Sequence, residues 1–269
     1  MKEKSPVTTL MDKMLPAKGL RVLITAGASG IGEAIARAFA EADAKVLVCD
    51  IDANALERLA ADVPGILTVV ADVSDEAAVT AMLEDARVKL GGLDVLVNNA
   101  GISGPTGRID TLSVEDIRRT LDIDLLGQFL VVRQAAPLLR QSEAGAIINI
   151  SSVAGRLGYG LRTPYAASKW GIVGFTQSLA KEMGPDGIRV NAILPGIVRG
   201  PRIESVIRAR AEAEGISYAD MEKQYLANVS LRRMVEPEDV AGLSLFLCAP
   251  AGANISGQAI SVCGNVENI

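Results

Sequence analysis

The stretch Arg21-Val22-Leu23-Ile24-Thr25-Ala26-Gly27-Ala28-Ser29-Gly30-Ile31-Gly32 decides the fold. A β-branched, apolar run reads as a strand, the glycines make a tight turn, and a helical pattern, Gly32–Ala42, follows at once. Gly30 and Gly32 let backbone come close to a pyrophosphate, whose charge is favoured by the positive N-terminal end of a helix. The turn alone is a weak signal. It is strengthened by the strand before it, the helix after it and an acid at the end of the next strand. That acid is Asp50, eighteen residues past Gly32. Its carboxylate can accept from the hydroxyls of an adenosine ribose and would repel a 2′-phosphate. Neither Ser29 nor Ile51 supplies a compensating charge, so the expected cofactor is NAD rather than NADP.

The same alternation continues outward. Strand-like runs fall at Lys45–Cys49, Ile66–Val70, Asp94–Val97, Ala146–Ile150, Arg189–Ile193 and Gln258–Val262, with helical patterns at Ala53–Ala61, Asp75–Lys89, Val114–Leu139, Pro164–Met183 and Pro237–Cys248. Seven strands separated by helices predict an α/β fold, a parallel sheet covered on both faces. No repeat, low-complexity tract or linker interrupts it, so residues 20–269 are expected to form one domain behind an N-terminal arm over residues 1–19. From Gly200 to Arg233 the chain is charged, helical and free of strands. It follows Leu194-Pro195-Gly196, outside a carboxyl strand end where ligands of such sheets bind, and is read as a substrate lid in preference to a solvated helical hairpin. Asp72-Val73 after the third strand is a candidate adenine contact, with a cap on the helix near Asp75 as the plain alternative for Asp72. Asn98-Asn99-Ala100-Gly101 makes a tight turn beside the cofactor, unless Asn98 only satisfies strand-end backbone groups.

Composition excludes several chemistries. The 269 residues contain no histidine, which removes Ser-His-Asp and Cys-His catalysis, histidine-ligated zinc and a histidine proton relay. A net charge of −5 offers no basic stripe to nucleic acid or to an anionic membrane, and no membrane partner is expected. Cys49, Cys248 and Cys263 are odd in number and lack a C-x-x-C spacing, which fits reduced, buried thiols in a cytoplasmic protein and no metal site. Met1 to Lys18 holds no apolar run of signal-peptide length, and no later segment is long enough for a membrane span.

Proton transfer has another source. In Tyr165-Ala166-Ala167-Ser168-Lys169 the tyrosine and lysine are four apart, on one helix face, where the ammonium favours the phenolate and makes Tyr165 a candidate acid/base. Ser152 stands thirteen positions upstream, after the strand Ala146–Ile150. A serine there can be a simple turn cap, and a lone Tyr-x-x-x-Lys arises by chance in many helices; their joint occurrence with the glycine turn removes coincidence.

Together the glycine turn, Asp72, Asn98-Asn99-Ala100-Gly101, Ser152, Tyr165-x-x-x-Lys169 and Pro195-Gly196 resemble the classical short-chain dehydrogenases/reductases in order and spacing, over about Leu20 to Val262. The layout is similar to 3-oxoacyl-carrier-protein reductase-like and polyol dehydrogenase-like members. The resemblance implies a single-domain, doubly wound Rossmann fold and a homotetramer. It implies Tyr165 as acid/base, Ser152 as donor to the substrate oxygen, and Lys169 as the group that holds the nicotinamide ribose. Ser151 is then structural. The cofactor-binding residues it implies are Gly27, Ser29, Gly30, Ile31, Gly32, Asp50, Asp72, Val73, Asn99, Ala100, Gly101, Tyr165, Lys169, Pro195, Gly196 and Val198.

Four positions depart from the family pattern. Ala26 replaces the first glycine of the turn and is tolerable if its φ stays negative. Gly200 precedes Pro201 where a threonine often contacts the carboxamide, leaving that contact to backbone near Val198. Cys263-Gly264-Asn265 replaces Asp-Gly-Gly near the end. Asp124 stands in place of the family's catalytic asparagine, twenty-eight residues before Ser152. If that residue works through its backbone carbonyl, with a water that reaches Lys169, an aspartate serves. If its amide donors are needed, activity falls, and a carboxylate beside Lys169 would pair with it.

The expected reaction is hydride transfer between the nicotinamide and a small polar secondary alcohol or ketone, a sugar, sugar acid or hydroxy acid. The alternatives are an NADPH-dependent 3-oxoacyl thioester reductase, which Asp50 disfavours, and a catalytically weak dinucleotide-binding regulator, which Asp124 suggests. Arg156, Arg162, Arg199, Arg202, Arg208, Arg210, Arg232 and Arg233 crowd the rim of the pocket and suit an anionic substrate. Most are expected to pair with Glu204, Glu212, Glu214, Glu222, Glu236 and Glu238, leaving Arg202 or Arg162 for a ligand. Aromatics are only 3% of the chain, which favours a small polar substrate; Tyr159 is a candidate lining residue and Trp170 an interface or core residue.

Overall fold

The computed structural model describes residues 9–266. Seven strands, β1 (Arg21–Thr25), β2 (Lys45–Asp50), β3 (Leu67–Val70), β4 (Val95–Asn98), β5 (Ala146–Ile150), β6 (Arg189–Pro195) and β7 (Ala259–Val262), form one sheet in the order β3-β2-β1-β4-β5-β6-β7. Every pairing is parallel. The parallel sheet expected from the alternation and the doubly wound order implied by the resemblance are therefore present, and the sequence order reverses between β1 and β4. There the two neighbouring crossovers leave on opposite faces and open a crevice beyond the strand ends.

Side chains alternate across the sheet with period two, and the two faces build separate cores. Val22, Ile24, Val46 and Val48 pack with Ile35 and Phe39 of α1 (Gly30–Glu41), Leu56 and Leu59 of α2 (Ala53–Asp62) and Val240 and Leu247 of α9 (Pro237–Cys248). Leu23, Leu47 and Leu96 face the other way, onto Met82 and Leu83 of α3 (Glu76–Leu90), Val131 and Leu139 of α5 (Gly127–Leu139) and Leu179 and Met183 of α6 (Thr163–Met183). β4 and β5 are buried along their whole length, as central strands of a covered sheet must be. Helix starts follow the capping residues: Asp52 accepts from the Ala55 N–H ahead of α2, and Asp75 from the Ala77 and Ala78 N–H groups ahead of α3.

The single helical pattern Val114–Leu139 is corrected by the structure. It divides into α4 (Val114–Leu121), a π turn over Asp122–Leu126, and α5. The Gly127 N–H reaches the Asp122 carbonyl, five residues back, so one extra residue is accommodated and the register of α5 is rotated against that of α4. Gly127 itself lies so close to Val73 that a Cβ would meet its side chain at 2.9 Å. Other boundaries move by one or two residues; α1 begins at Gly30, not Gly32, and β6 runs on to Pro195.

Residues 200–233 form α7 (Pro201–Glu214) and α8 (Tyr218–Ala227). Ile207, Ala211, Met221 and Tyr225 pack with Val153, Ile197, Val229, Met234 and Val266 in a third, smaller core. Cys263-Gly264-Asn265 ties down this segment: the Ser230 and Leu231 N–H groups donate to the carbonyls of Asn265 and Gly264. The first eight residues of the expected arm lie outside the described residues. Of the rest, Lys18 pairs with Asp43 at 2.5 Å. Among the described residues no helix is long and apolar enough to cross a membrane.

Candidate functional site

The turn after β1 is held by three neighbours. Asp50 accepts from the Ala28 N–H through Oδ2 at 3.2 Å and from the Asp52 N–H through Oδ1 at 3.1 Å. The Asn99 amide donates to the carbonyls of Thr25 (3.1 Å) and Ala26 (2.9 Å). Thr25 Oγ1 in turn accepts from the N–H groups of Asn99 and Ala100, each at 3.0 Å. The two clamps that involve Thr25 and Asn99 depend on β1 and β4 being neighbours, and nothing local in the sequence signals them.

The expectation of a negative φ at Ala26 is overturned: φ is +48°. A Cβ in this left-handed region costs about 1–2 kcal/mol. Asn99 holds the carbonyls on both sides of the Ala26 N–Cα–C unit, so the turn cannot relax without losing them. Ala26→Gly is expected to raise the unfolding free energy by about 0.5–1 kcal/mol, once glycine's larger chain entropy is deducted. A higher urea midpoint at unchanged slope would register it, and an unchanged or lower midpoint would contradict it.

The site's residues fit a dinucleotide phosphate at this turn. Ser29 makes no side-chain cap on α1, so the first-turn N–H groups of that helix are left for a ligand. Gly30 has φ +55° and open space where a Cβ would stand. Gly32 has no such space: a Cβ there would meet the Ala26 carbonyl oxygen at 2.3 Å and Asn99 Nδ2 at 2.5 Å.

From this turn a cleft of about 450 Å³ runs along the carboxyl ends of the strands. Ser29, Gly30, Ile31, Asn99, Gly101, Ser152, Tyr165, Lys169, Pro195, Gly196 and Val198 line it, together with Ser103, Tyr159, Arg162, Arg202 and Tyr225. Gly27 and Gly32 of the turn, and Ala100 after β4, are buried and lie outside the lining. Asp50, Asp72 and Val73 lie outside this lining. Asp72 Oδ1 accepts from the N–H and hydroxyl of Ser74, and Val73 is buried against Gly127. The capping alternative for Asp72 also falls, because Asp75 caps α3.

Ser152, Tyr165 and Lys169 meet on one wall. Ser152, 9% exposed, accepts from the Ala154 N–H at 3.1 Å, which starts a single 3-10 turn over Val153–Gly155 and leaves the hydroxyl proton for another partner. Lys169 is 3% exposed; its Nζ donates to the Ile150 carbonyl at 3.2 Å and stands 5.6 Å from the centroid of the Tyr165 ring. Ser151 donates to the Lys169 carbonyl at 2.8 Å, a structural bond that joins β5 to α6. At Gly155 a Cβ would meet the Lys169 carbonyl and Ser151 Oγ, both at 2.6 Å, so this close approach of turn and helix requires glycine.

Asp124 lies behind this wall. It is fully buried in the π turn, its Oδ1 accepting from the Ile102 N–H at 2.6 Å, while its Oδ2 lies 3.4 Å from the Ser168 hydroxyl, which has a closer acceptor in the Tyr165 carbonyl at 2.8 Å. The expected pairing with Lys169 does not form: no ion pair joins the two among the described residues, and the Lys169 ammonium donates to the Ile150 carbonyl instead. The carboxylate thus fixes the loop after β4 instead of facing the cleft.

The rim arginines separate by partner. Arg199 pairs with Glu236 and Arg210 with Glu214, both at 2.9 Å. Arg156 donates to Ser261 and the Ala259 carbonyl, Arg232 to the Leu226 carbonyl, and Arg208 lies over the Tyr218 ring. The expected pairing of most rim arginines with glutamates is thus corrected: of the eight, only Arg199 and Arg210 have a carboxylate partner among the described residues, and of the six without one, Arg162 and Arg202 are those that line the cleft. Tyr159, from the loop before α6, shares a hydroxyl–hydroxyl hydrogen bond of 2.8 Å with Tyr225 of α8. Trp170 is 51% exposed on α6, which removes the core reading for it. Cys49 is buried, and burial pushes its thiol up to about 12; Cys248 and Cys263 are only half-buried, and all three are unpaired.

Residues 25–265 match the family model described as enoyl-(acyl carrier protein) reductase. The chain is similar to galactitol 2-dehydrogenase of Agrobacterium fabrum, 37% identical over 244 residues that span 90% of this chain and 95% of that protein. Among solved structures it is similar to actinorhodin polyketide ketoreductase with NADPH, with a TM-score of 0.89 at 32% identity over 93% of this chain and 98% of the other. It is similar also to NAD+-bound xylitol dehydrogenase, with a TM-score of 0.89 at 27% identity over 92% and 98%.

Proposed function

The chain belongs to the classical short-chain dehydrogenase/reductase family, and from that premise we propose that it is an NAD-dependent dehydrogenase of a small polar secondary alcohol, working reversibly on the matching ketone. The observation that carries this reading is the convergence of Ser152, Tyr165 and Lys169 on one cleft that begins at the uncapped N-terminus of α1.

The nicotinamide, when bound, supplies the ring carbon that takes up or returns hydride. The chain's own residues bind, orient and move the proton. Gly30, Ile31 and Gly32 would present first-turn N–H groups to the pyrophosphate, Asp50 would accept from the adenosine ribose, and Asn99, Gly101, Pro195, Gly196 and Val198 would line the remaining length. Lys169, already oriented by the Ile150 carbonyl, has two further protons for the ribose and for the neighbourhood of Tyr165. In the oxidation direction the Tyr165 oxygen takes the proton of the substrate hydroxyl. Ser152, whose lone pair is engaged by the Ala154 N–H, donates to the same substrate oxygen and steadies it as alcohol and as carbonyl. Asp124 acts as a positioning residue through the Ile102 N–H, and residues 200–233 act as the lid over the substrate end.

The test is the absorbance of reduced nicotinamide, with NAD and NADP in parallel, across neutral polyols, sugar acids and β-hydroxy acids. Turnover with NAD supports the reading; a dinucleotide that binds with no turnover across the panel moves it to the regulatory alternative that Asp124 suggests. Asp50→Ala should raise the NADP-to-NAD ratio of kcat/KM by about tenfold, because the repelling carboxylate is gone. Both absolute values should fall, since the Ala28 and Asp52 N–H groups lose their acceptor. An unchanged ratio would count against Asp50 as the discriminating residue and would favour the NADPH-dependent thioester reductase.

The same reading includes a cytoplasmic homotetramer. Leu126, Phe129 and Trp170 are exposed on the π turn, α5 and α6, as an interface would have them, and the unpaired cysteines suit a reducing compartment. Sedimentation as a monomer at micromolar concentration would remove the tetramer.

A further inference from the structure

Two guanidinium groups converge on one residue of the cleft wall. Arg162, just ahead of α6, donates through Nη2 to the Ser103 carbonyl. Arg202, in the first turn of α7, donates through Nε to Ser103 Oγ at 3.2 Å and through Nη2 to the Gly101 carbonyl at 2.9 Å. Both line the cleft that contains Ser152 and Tyr165. Arg162 is only 4% exposed, its Nε has no acceptor, and its guanidinium carbon lies 4.9 Å from the Tyr165 ring centroid and 5.1 Å from that of Tyr159.

A buried charge without a counter-charge is expensive, and aromatic ring faces and one carbonyl offset only part of that cost. Arg199 and Arg210 on the same rim have carboxylate partners; Arg162 and Arg202 have none among the described residues. An oxyanion arriving in the cleft would supply the missing charge and accept forked, charge-assisted hydrogen bonds that the chain leaves unmade.

We infer that Arg162 and Arg202 form a subsite for an oxyanion, a carboxylate or a phosphate, carried by the substrate close to its reacting carbinol. This rests on the oxidoreductase reading and narrows it: the preferred alcohol is a hydroxy acid or a phosphorylated polyol, not a neutral polyol. Arg162 supplies a desolvated charge beside Tyr165, and Arg202 supplies a second one from the lid segment, already held beside the loop after β4 by its bonds to Ser103 and Gly101.

The test compares kcat/KM for a hexitol, the matching hexonate and the hexitol phosphate in the full-length protein with NAD. One of the two anions is expected to exceed the hexitol by about tenfold to a hundredfold, and which one does so names the oxyanion. In Arg202→Gln that anion-to-hexitol ratio should fall by about tenfold. The ratio is measured within one preparation, so a change in the folded fraction cancels. Arg162→Gln should lower it further if the variant folds; Arg202, being exposed, keeps the test alive if it does not. A ratio near one, or a ratio that Arg202→Gln leaves unchanged, overturns the inference.

Calorimetry with glutarate, inorganic phosphate and neutral glutaramide separates this inference from the reading it rests on. If no alcohol is oxidised but glutarate or phosphate binds and Arg202→Gln abolishes the heat, the subsite stands and the oxidoreductase reading fails. If neither anion binds more tightly than glutaramide, the subsite fails whatever the enzyme oxidises.

Discussion

Tyr165→Phe is expected to lower kcat by about 10²–10⁴-fold while dinucleotide binding survives. The substitution removes one oxygen and keeps the ring, so the faces against Arg162 and Lys169 remain filled and α6 is undisturbed. No other group in the cleft can take over. The chain contains no histidine, and the aliphatic hydroxyl of Ser152 is far too weak an acid to replace a phenol. Tyr159 is the nearest second phenol. Burial, then the neighbouring Tyr225, push its hydroxyl well above the ordinary tyrosine range, so it holds its proton. Single-turnover reduction of NAD, with binding followed separately by fluorescence of NADH, reads the two effects apart. A kcat within a few-fold of the unaltered protein would remove Tyr165 as the proton-transfer group.

Gly32→Ala is expected to weaken dinucleotide binding by more than about tenfold and to destabilise the fold by about 1–3 kcal/mol, the usual cost of overpacking. The added methyl would stand 2.3 Å from the Ala26 carbonyl oxygen, 2.5 Å from Asn99 Nδ2 and 2.8 Å from Gly27 Cα. Two of these three are backbone and the third is the clamp that holds the turn, so none can retreat as the end of a flexible side chain would. The turn must move off α1, and with it the cradle for the phosphates. Gly30→Ala makes the contrast: open space surrounds its Cβ direction, and only its φ of +55° opposes a side chain. Equal NADH affinities for Gly32→Ala and the unaltered protein would show that the turn has freedom these contacts deny.

Much of this was legible before any coordinates, for identifiable reasons. Strand and helix types could be read because both sheet faces are covered, so the strands are continuous apolar runs with helices of contrasting period between them. Ser152, Tyr165 and Lys169 could be singled out because they sit on consecutive elements, where spacing alone brings them together. The π turn at Asp122–Leu126 could not be read, since one inserted residue leaves the apolar pattern on either side intact. The left-handed conformation of Ala26 was equally hidden: alanine gives no sign of positive φ, and the bonds that impose it come from Asn99 across the sheet. The distinction between paired and unpaired arginines on the rim needed three dimensions, because Arg199 and Glu236 are distant in sequence and Arg162 reaches Ser103 across the cleft.

The separate packing of α7 and α8 has a consequence for how such a chain can diversify. Their apolar residues gather with Val153, Ile197, Val229, Met234 and Val266, not with either of the two cores that clamp the sheet. Changes at the exposed positions of residues 200–233 can therefore reshape the mouth of the cleft while β5 and α6 keep their mutual bond between Ser151 and the Lys169 carbonyl; the buried Ile207, Met221 and Tyr225 are less free, because their core includes Val153 beside Ser152 and Tyr225 is bonded to Tyr159. Selectivity and chemistry are in this sense inherited on different parts. A lineage can try new substrates by rewriting the outer face of this annex, and such a trial leaves the proton-handling wall as it was.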